Sequence, residues 1–242
     1  MNTFLTGVSC VGKTTLGKIL ADRFHHPFFD LDSEIEKYFG ESIERLMSRY
    51  LTGHDFRDKI GVVVLKDILF NRSSNDSVIA LPPSGLKDAY SRTISKVDGV
   101  VVAIIDKPEN ILKRIAFYDI DSKPIDKLLT DDDKRHYLKE IKKDITYFGK
   151  TYKRAHLLVD IAGLSIEDSV TRIQDAIQSY VPVKSHRKIC INISQNKKKA
   201  SFRRLPKHAK EKIRAALLKK KPLHEGGIHK GAIEGSWLVR LR

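Results

Sequence analysis

Gly7-Val8-Ser9-Cys10-Val11-Gly12-Lys13-Thr14-Thr15 decides how the first 180 residues are read. The stretch fits G-x-x-x-x-G-K-[ST], a loop whose backbone N–H groups cradle nucleotide phosphates at the N-terminus of a helix. Glycines at 7 and 12 allow the tight turn and the close approach of backbone to phosphate. Lys13 is expected to reach the β- and γ-phosphates, and the Thr14 hydroxyl to ligate Mg²⁺. The flanks agree. Phe4-Leu5-Thr6 can end a buried strand, and Thr15 to Ala21 reads as a helix with apolar positions at Leu16, Ile19 and Leu20. A glycine-rich turn without a ligand is the bland alternative, and the strand-loop-helix setting argues against it.

Composition bounds the rest. With 242 residues, 41% of them hydrophobic, the chain can form one large or two small packed domains. No run of 18 apolar residues suggests a membrane span. The loop begins six residues after Met1, which leaves no room for a signal or transit peptide. Cys10 and Cys190 are the only cysteines and have no metal-ligand spacing, so a reduced, cytoplasmic setting is expected. The net charge of +15 is uneven: residues 181–242 hold 18 Lys/Arg against 3 Asp/Glu, whereas residues 1–180 hold 27 of each. A neutral domain over 1–180 is therefore followed by a basic module over 184–242, with the boundary near Val181-Pro182-Val183.

In chain order, His26-Pro27-Phe28-Phe29-Asp30-Leu31-Asp32-Ser33 reads as a short strand ending in two carboxylates spaced i, i+2. Alternation in an extended segment would put both on one side, at the carboxyl end of a sheet where ligands of open α/β folds sit. One could hold Mg²⁺ through water and the other accept a proton. Equally, Asp32 or Ser33 could cap the next helix. Helices are predicted over 34–39, 42–50 and 56–70, the last with an apolar face at Ile60, Val63, Val64 and Ile68 and Arg57 at its start. Ser77 to Leu81 reads as a buried strand stopped by Pro82-Pro83-Ser84-Gly85, a rigid turn at the sheet edge facing the site. Gly99 to Ile105 is a fully apolar strand, and Pro108 opens a helix through Arg114. Residues 118–135 are polar and suit a mobile lid. A helix over 132–148, a strand over 155–160 and a helix over 165–179 complete an α/β doubly wound parallel sheet.

These residues resemble a family. Gly12-Lys13-Thr14-Thr15-Leu16-Gly17-Lys18-Ile19-Leu20-Ala21, Phe29-Asp30-Leu31-Asp32, Gly40-Glu41-Ser42-Ile43, Phe56-Arg57, the lid pair Lys123-Pro124 and Val159 to Ser165 are similar in order and spacing to shikimate kinase over about 1–180. The resemblance implies a P-loop NTPase fold and an ATP- and Mg²⁺-dependent phosphotransferase. It implies nucleotide contacts by Gly7, Ser9, Cys10, Val11, Gly12, Lys13, Thr14 and Thr15, with Arg114 by the adenine. Thr14 and Asp30 would organise the metal, and Asp32 would contact the acceptor hydroxyls and act as base. Lys13 and Lys123, the latter where the family has a lid arginine, would neutralise the transferring group. Arg57 would bind the acceptor's anionic part. The departures fall on the acceptor side. Pro82-Pro83-Ser84 stands where the family has three glycines, so Pro83 and Ser84 would line a changed pocket. Asp144 to Gly149 lacks the expected arginine, and the next one is Arg154. The expected enzyme therefore phosphorylates a hydroxyl of something other than shikimate: a small polyol, a nucleotide or RNA. The alternative is an ATP-binding regulator or a toxin–antitoxin-like component.

The basic module alternates like a strand over 188–194, reads as one or two basic helices over 197–221 broken at Pro206, and ends in a second strand over 236–242. That order, with Arg204 to His208 and Gly235 to Leu241, loosely resembles the first half of RelE/ParE-type toxins, which act on ribosome-bound mRNA or on DNA gyrase. RNA, the ribosome or a protein partner is the expected ligand, since dense cations bind phosphate backbones through counterion release. A solubilising extension is the alternative.

Overall fold

The first strand, β1 (Asn2–Thr6), is buried along its whole length, which requires strands on both of its edges and helices on both faces. The computed structural model, which describes residues 1–72 and 76–180, supplies both. After β1 come α1 (Lys13–Phe24), β2 (Phe28–Asp30), α2 (Leu31–Phe39) and α3 (Ile43–Met47). Next is a helical run made of α4 (Gly53–Phe56), a π-helical turn (Arg57–Gly61), α5 (Val62–Asp67) and a second π-helical turn (Ile68–Arg72). Then come β3 (Val78–Ala80), α6 (Asp88–Ile94), β4 (Gly99–Ile105), α7 (Pro108–Leu112), β5 (Phe117–Tyr118) and β6 (Pro124–Ile125). The last three elements are α8 (Asp131–Tyr152), β7 (Leu157–Asp160) and α9 (Ile166–Gln178). The main sheet has the order β2-β3-β1-β4-β7 with every pair parallel, as expected of a doubly wound P-loop NTPase fold.

Alternation along the strands divides the core. Leu5, Val78, Val100 and Val102 pack with Leu16, Leu20, Ile141, Val170 and Ile173 on one face. Phe4, Ile79 and Val101 pack with Leu31, Ile35, Val64, Leu65 and Tyr90 on the other. The register then sets the site. Leu5 and Asp30 both pair with Ala80, and Thr6 pairs with Ala103. The loop after β1, the carboxylate of Asp30 and the turn after β3 consequently leave the sheet at the same end.

Several expectations change. The strand predicted through Ser33 stops at Asp30, because the Asp30 carboxylate accepts the Ser33 N–H (3.3 Å) and caps α2. Asp32 is thus a first-turn helical residue, not the second carboxylate of a strand. The helix predicted over 56–70 is interrupted by its two π-helical turns, so Ile60, Val64 and Ile68 are buried as expected, while Val63 is only half-buried and Val62 and Leu65 take the inward positions. The turn after β3 lies at the end of an internal strand, between β2 and β1, and not at a sheet edge. The helix opened by Pro108 ends at Leu112, short of Arg114. Residues 117–125 are an antiparallel hairpin, and α8, started by a Thr130–Asp133 capping box, runs four residues beyond the predicted 148. The elements predicted over 188–194, 197–221 and 236–242 lie outside the described residues. No helix among the described residues is long and apolar enough to cross a membrane.

One buried carboxylate ties α2 to the end of the helical run before β3. Glu34 of α2 bonds Lys37 Nζ (2.9 Å) and Arg72 Nη2 (2.5 Å), and the Arg72 guanidinium lies 5.0 Å over the Phe29 ring. Burial pushes the Glu34 carboxyl up, but its bonds to Lys37 and Arg72 outweigh that and hold it below the usual glutamate range. The stabilisation is therefore present above the unfolded value of about 4.3 and is lost as pH falls through the lower folded value. Glu34→Gln is expected to cost about 1–2 kcal/mol at neutral pH, because the carboxylate is buried but both cations reach solvent. In thermal melts from pH 7 to pH 3 the gap between variant and wild type should close on the acid side; a pH-independent gap would refute the assignment.

Candidate active site

The phosphate loop is built on constrained backbone. Gly7 has φ +149, and a Cβ there would stand 2.7 Å from the Ile104 carbonyl oxygen of β4. Gly12, at φ +106, is the N-cap of α1. Cys10 between them also lies in the left-handed region (φ 58), with its side chain buried. Burial pushes its thiol up, so it packs as a neutral apolar group under the loop. The N–H groups of the first turn of α1, at Lys13, Thr14 and Thr15, have no intrahelical acceptor and point out of the helix start. Lys13 Nζ arches over the loop and donates to the carbonyls of Gly7 (3.0 Å) and Val8 (2.8 Å).

Thr14 and Asp30 meet. Thr14 Oγ1 donates to Asp30 Oδ2 at 2.6 Å, the two side chains reaching across from α1 and the end of β2. Their oxygens are hard donors of the kind Mg²⁺ takes, and Mg²⁺ commonly relies on one or two protein ligands with substrate phosphates completing its shell. Among the described residues no group of three or more His, Cys, Asp or Glu side chains could hold a metal ion by itself. Asp32 follows in the first turn of α2, where the helix dipole favours a carboxylate.

Arg114 is anchored by Asp106, a buried carboxylate just past β4 that also accepts Lys107 N–H (2.7 Å) and Asn110 Nδ2 (2.8 Å). Its charge acts on Cys10, so it stands beside the phosphate loop. Lys123 is exposed on the β5–β6 hairpin. That hairpin is latched to α2 and α3: Ser122, in the left-handed region (φ 60), bonds Glu36 (2.5 Å) and Glu44 (2.9 Å). Ser42 Oγ also bonds the Ile120 carbonyl, and Arg45 Nε bonds Asp121 at 2.6 Å.

Pro83 and Ser84, expected to line the acceptor pocket, lie in the turn after β3. Gly85 N–H closes on the Pro82 carbonyl (2.8 Å), and Tyr152 of α8 donates to the Pro83 carbonyl (3.2 Å). Beside it Lys87 Nζ sits 3.8 Å over the Tyr147 ring and 5.0 Å from Phe148. Arg57, at the start of the first π-helical turn, is paired with Asp88, a residue that the sequence reading did not single out. Its signal was faint: one acid in a charged pair one residue past the Pro-Pro-Ser-Gly turn. Asp106 was missed too, although an acid ending a strand of seven apolar or small residues is the same cue that marked Asp30.

Comparison with known proteins gives the family. The family model for shikimate kinase matches residues 9–178. The shikimate kinase of Caldanaerobacter subterraneus is 26% identical over 187 residues, 76% of this chain and 98% of that protein. The crystal structure of shikimate kinase from Bacteroides thetaiotaomicron superposes with a TM-score of 0.59 at 23% identity, covering 74% of this chain and 98% of that one, a likeness of fold. That of Aquifex aeolicus gives 0.54 at 26% identity over 74% and 96%. The family match takes in Gly12-Lys13-Thr14 of the loop, the Thr14–Asp30 pair and the β5–β6 hairpin, and the chain belongs to the shikimate kinase family of ATP- and Mg²⁺-dependent kinases that phosphorylate a hydroxyl group.

Proposed function

We propose that this kinase transfers the terminal phosphoryl group of ATP to a hydroxyl of an acceptor other than shikimate, the substrate after which its relatives are named. The observation that carries the proposal is the turn after β3. Pro82 and Pro83 have no N–H to offer an acceptor, and the Pro83 carbonyl is already bonded by Tyr152. Asp144 to Gly149 on α8 offers no guanidinium either, so a bidentate clamp on a carboxylate, roughly twice as strong per bond as a neutral contact, is missing there.

The donor side works with the parts described. Backbone N–H groups of Gly7 to Thr15 hold the phosphates, and Lys13 turns from the loop carbonyls to the β- and γ-oxygens. Thr14 and Asp30 hold Mg²⁺, which when bound offsets charge on the phosphates. Asp32 accepts the proton of the acceptor hydroxyl as it attacks, and Lys123 brings a second cation when the hairpin covers the site. Arg114, fixed by Asp106, flanks the adenine. The basic residues 184–242 form a separate module that binds RNA or another polyanion, a reading supported by the 18 cations against 3 acids over 181–242.

Lys13→Ala is expected to abolish ATP binding in calorimetry while leaving the fold intact; unchanged affinity would overturn the donor-site assignment. Asp32→Asn should keep ATP binding and lose transfer on the order of a hundredfold or more. Screening polyols, nucleosides and RNA for label transfer from ³²P-ATP identifies the acceptor, and efficient shikimate phosphorylation would refute the altered site. For the tail, contact with about six phosphates would lower RNA affinity on the order of a thousandfold between 50 and 200 mM salt. If the full chain retains no more RNA on filters than a chain ending at Val183, that reading fails.

A further inference from the structure

The solvent side of α8 carries a continuous basic face. Arg135, Lys139, Lys142, Lys143, Lys150 and Lys153 are all exposed. At 3.6 residues per turn they fall within about 100° of one another around the helix axis, on the side away from buried Ile141 and Tyr152. At 1.5 Å per residue the face is about 27 Å long. Glu140 and Asp144, the acids of α8 beyond its first turn, lie outside that arc. A solvated helix face more often alternates the two signs. Residues 1–180 hold 27 basic and 27 acidic residues, so this face reflects placement and not composition.

Three of these cations have partners: Arg135 pairs with Asp132, Lys143 with Glu140 (2.6 Å) and Lys142 with Glu109 (3.9 Å). Exposed pairs of this kind are worth little and yield to a phosphate. Lys139, Lys150 and Lys153 form no salt bridge among the described residues, and neither does exposed Arg154 just past the helix. An open groove of about 710 Å³ follows the face, with Tyr147 among the cations that line it. Lys87 Nζ sits over that ring at 3.8 Å, yet Tyr147 is still 66% exposed. At its far end α8 closes in a tight turn, Ala155 N–H bonding the Tyr152 carbonyl (2.9 Å), and the ring of the next residue, His156, stacks on Tyr180 with centroids 5.4 Å apart. The described chain thus stops close to the end of α8, and the 18 cations of residues 181–242 follow in sequence from that point.

From this arrangement we infer that the outer face of α8 is a track for single-stranded RNA, which carries the polyanion surface of the basic module onto the kinase domain. The inference rests on the reading of residues 184–242 as an RNA-binding module and extends it. Charge complementarity is the first reason: a row of lysines and arginines without interleaved acids matches a row of phosphates, and each contact releases a counterion. The exposed tyrosine is the second. A base can stack on an aromatic ring among cations, whereas the carboxylates of an acidic protein gain nothing from it. A duplex hides its bases from such a ring, so a single strand is the better fit.

The test uses the full chain and a labelled single-stranded RNA of mixed sequence, followed by fluorescence anisotropy between about 50 and 200 mM salt. One variant combines Lys139→Ala, Lys150→Ala and Lys153→Ala, exposed positions where alanine suits the helix. A control removes the same charge from other exposed positions, by Lys18→Ala, Lys66→Ala and Lys96→Ala. A third variant is Tyr147→Ala, and all are first checked for ATP·Mg²⁺ binding. The α8 variant should lower the salt slope by about 2 and the affinity at 100 mM salt on the order of a hundredfold, with the control within about threefold of wild type. Tyr147→Ala should weaken binding on the order of tenfold with the slope unchanged. The inference is overturned if the α8 variant matches the wild type, if the control loses as much, or if Tyr147→Ala has no effect. Competition by poly-glutamate as effective as by RNA also overturns it and marks an acidic-protein surface instead. The tail reading is judged separately, by the full chain against the chain ending at Val183.

Discussion

Gly7 passes so close to the Ile104 carbonyl that no side chain fits between them, and the rest of the site depends on that contact. It presses the loop after β1 down onto β4, so the chain can wrap tightly before entering α1 at Gly12. The parallel pairing of β1 with β3 and β4 makes the approach possible, and both faces of the sheet must be covered for that pairing to persist. Thr14 then meets Asp30 because β2 ends opposite Ala80 of β3, one residue short of where β1 gives way to the loop. Substrate chemistry at this end of the sheet is thus a result of strand register as much as of motif.

Much of the donor half was legible in the sequence, because its information is local. A loop motif, a strand before it, a helix after it and an acid at the next strand end are all separated by a few residues. The same locality misled at Asp32. Period-two reading extended the strand by three residues, whereas the Asp30 cap had already turned the chain into α2. Arg57 could be named from its neighbours, but its partner could not. Residues 57 and 88 meet only because α6 packs on the π-helical turn, and no one-dimensional pattern carries that.

The two halves of the site differ in how they are held. Around the phosphate loop, constrained backbone is joined by the Thr14–Asp30 bond, by the two bonds of Lys13 to loop carbonyls and by the Arg114–Asp106 pair. Acceptor groups are fixed by side chains on separate helices: Tyr152 and Tyr147 from α8, Lys87 and Asp88 from the turn into α6, Arg57 from the helical run before β3. The β5–β6 hairpin is tied instead to α2 and α3, through Ser122, Glu36 and Glu44. The hairpin's side-chain bonds thus run to α2 and α3 and not to the elements that carry Arg57, Lys87 and Tyr152.

The two π-helical turns flanking α5 have a consequence of a different kind. A π-helical turn is geometrically an α-helix with one residue inserted, and each insertion rotates the residues before it by about 100° relative to those after it. Across Arg57–Gly61 that rotation falls between the core-facing residues of α5 and the arginine at the turn's start. Removing a single residue there would leave α5 seated on the sheet and swing Arg57 off Asp88. The aim of Arg57 is thus set by chain length as well as by residue identity, and its buried neighbour Phe56 would have to leave the core for that aim to change.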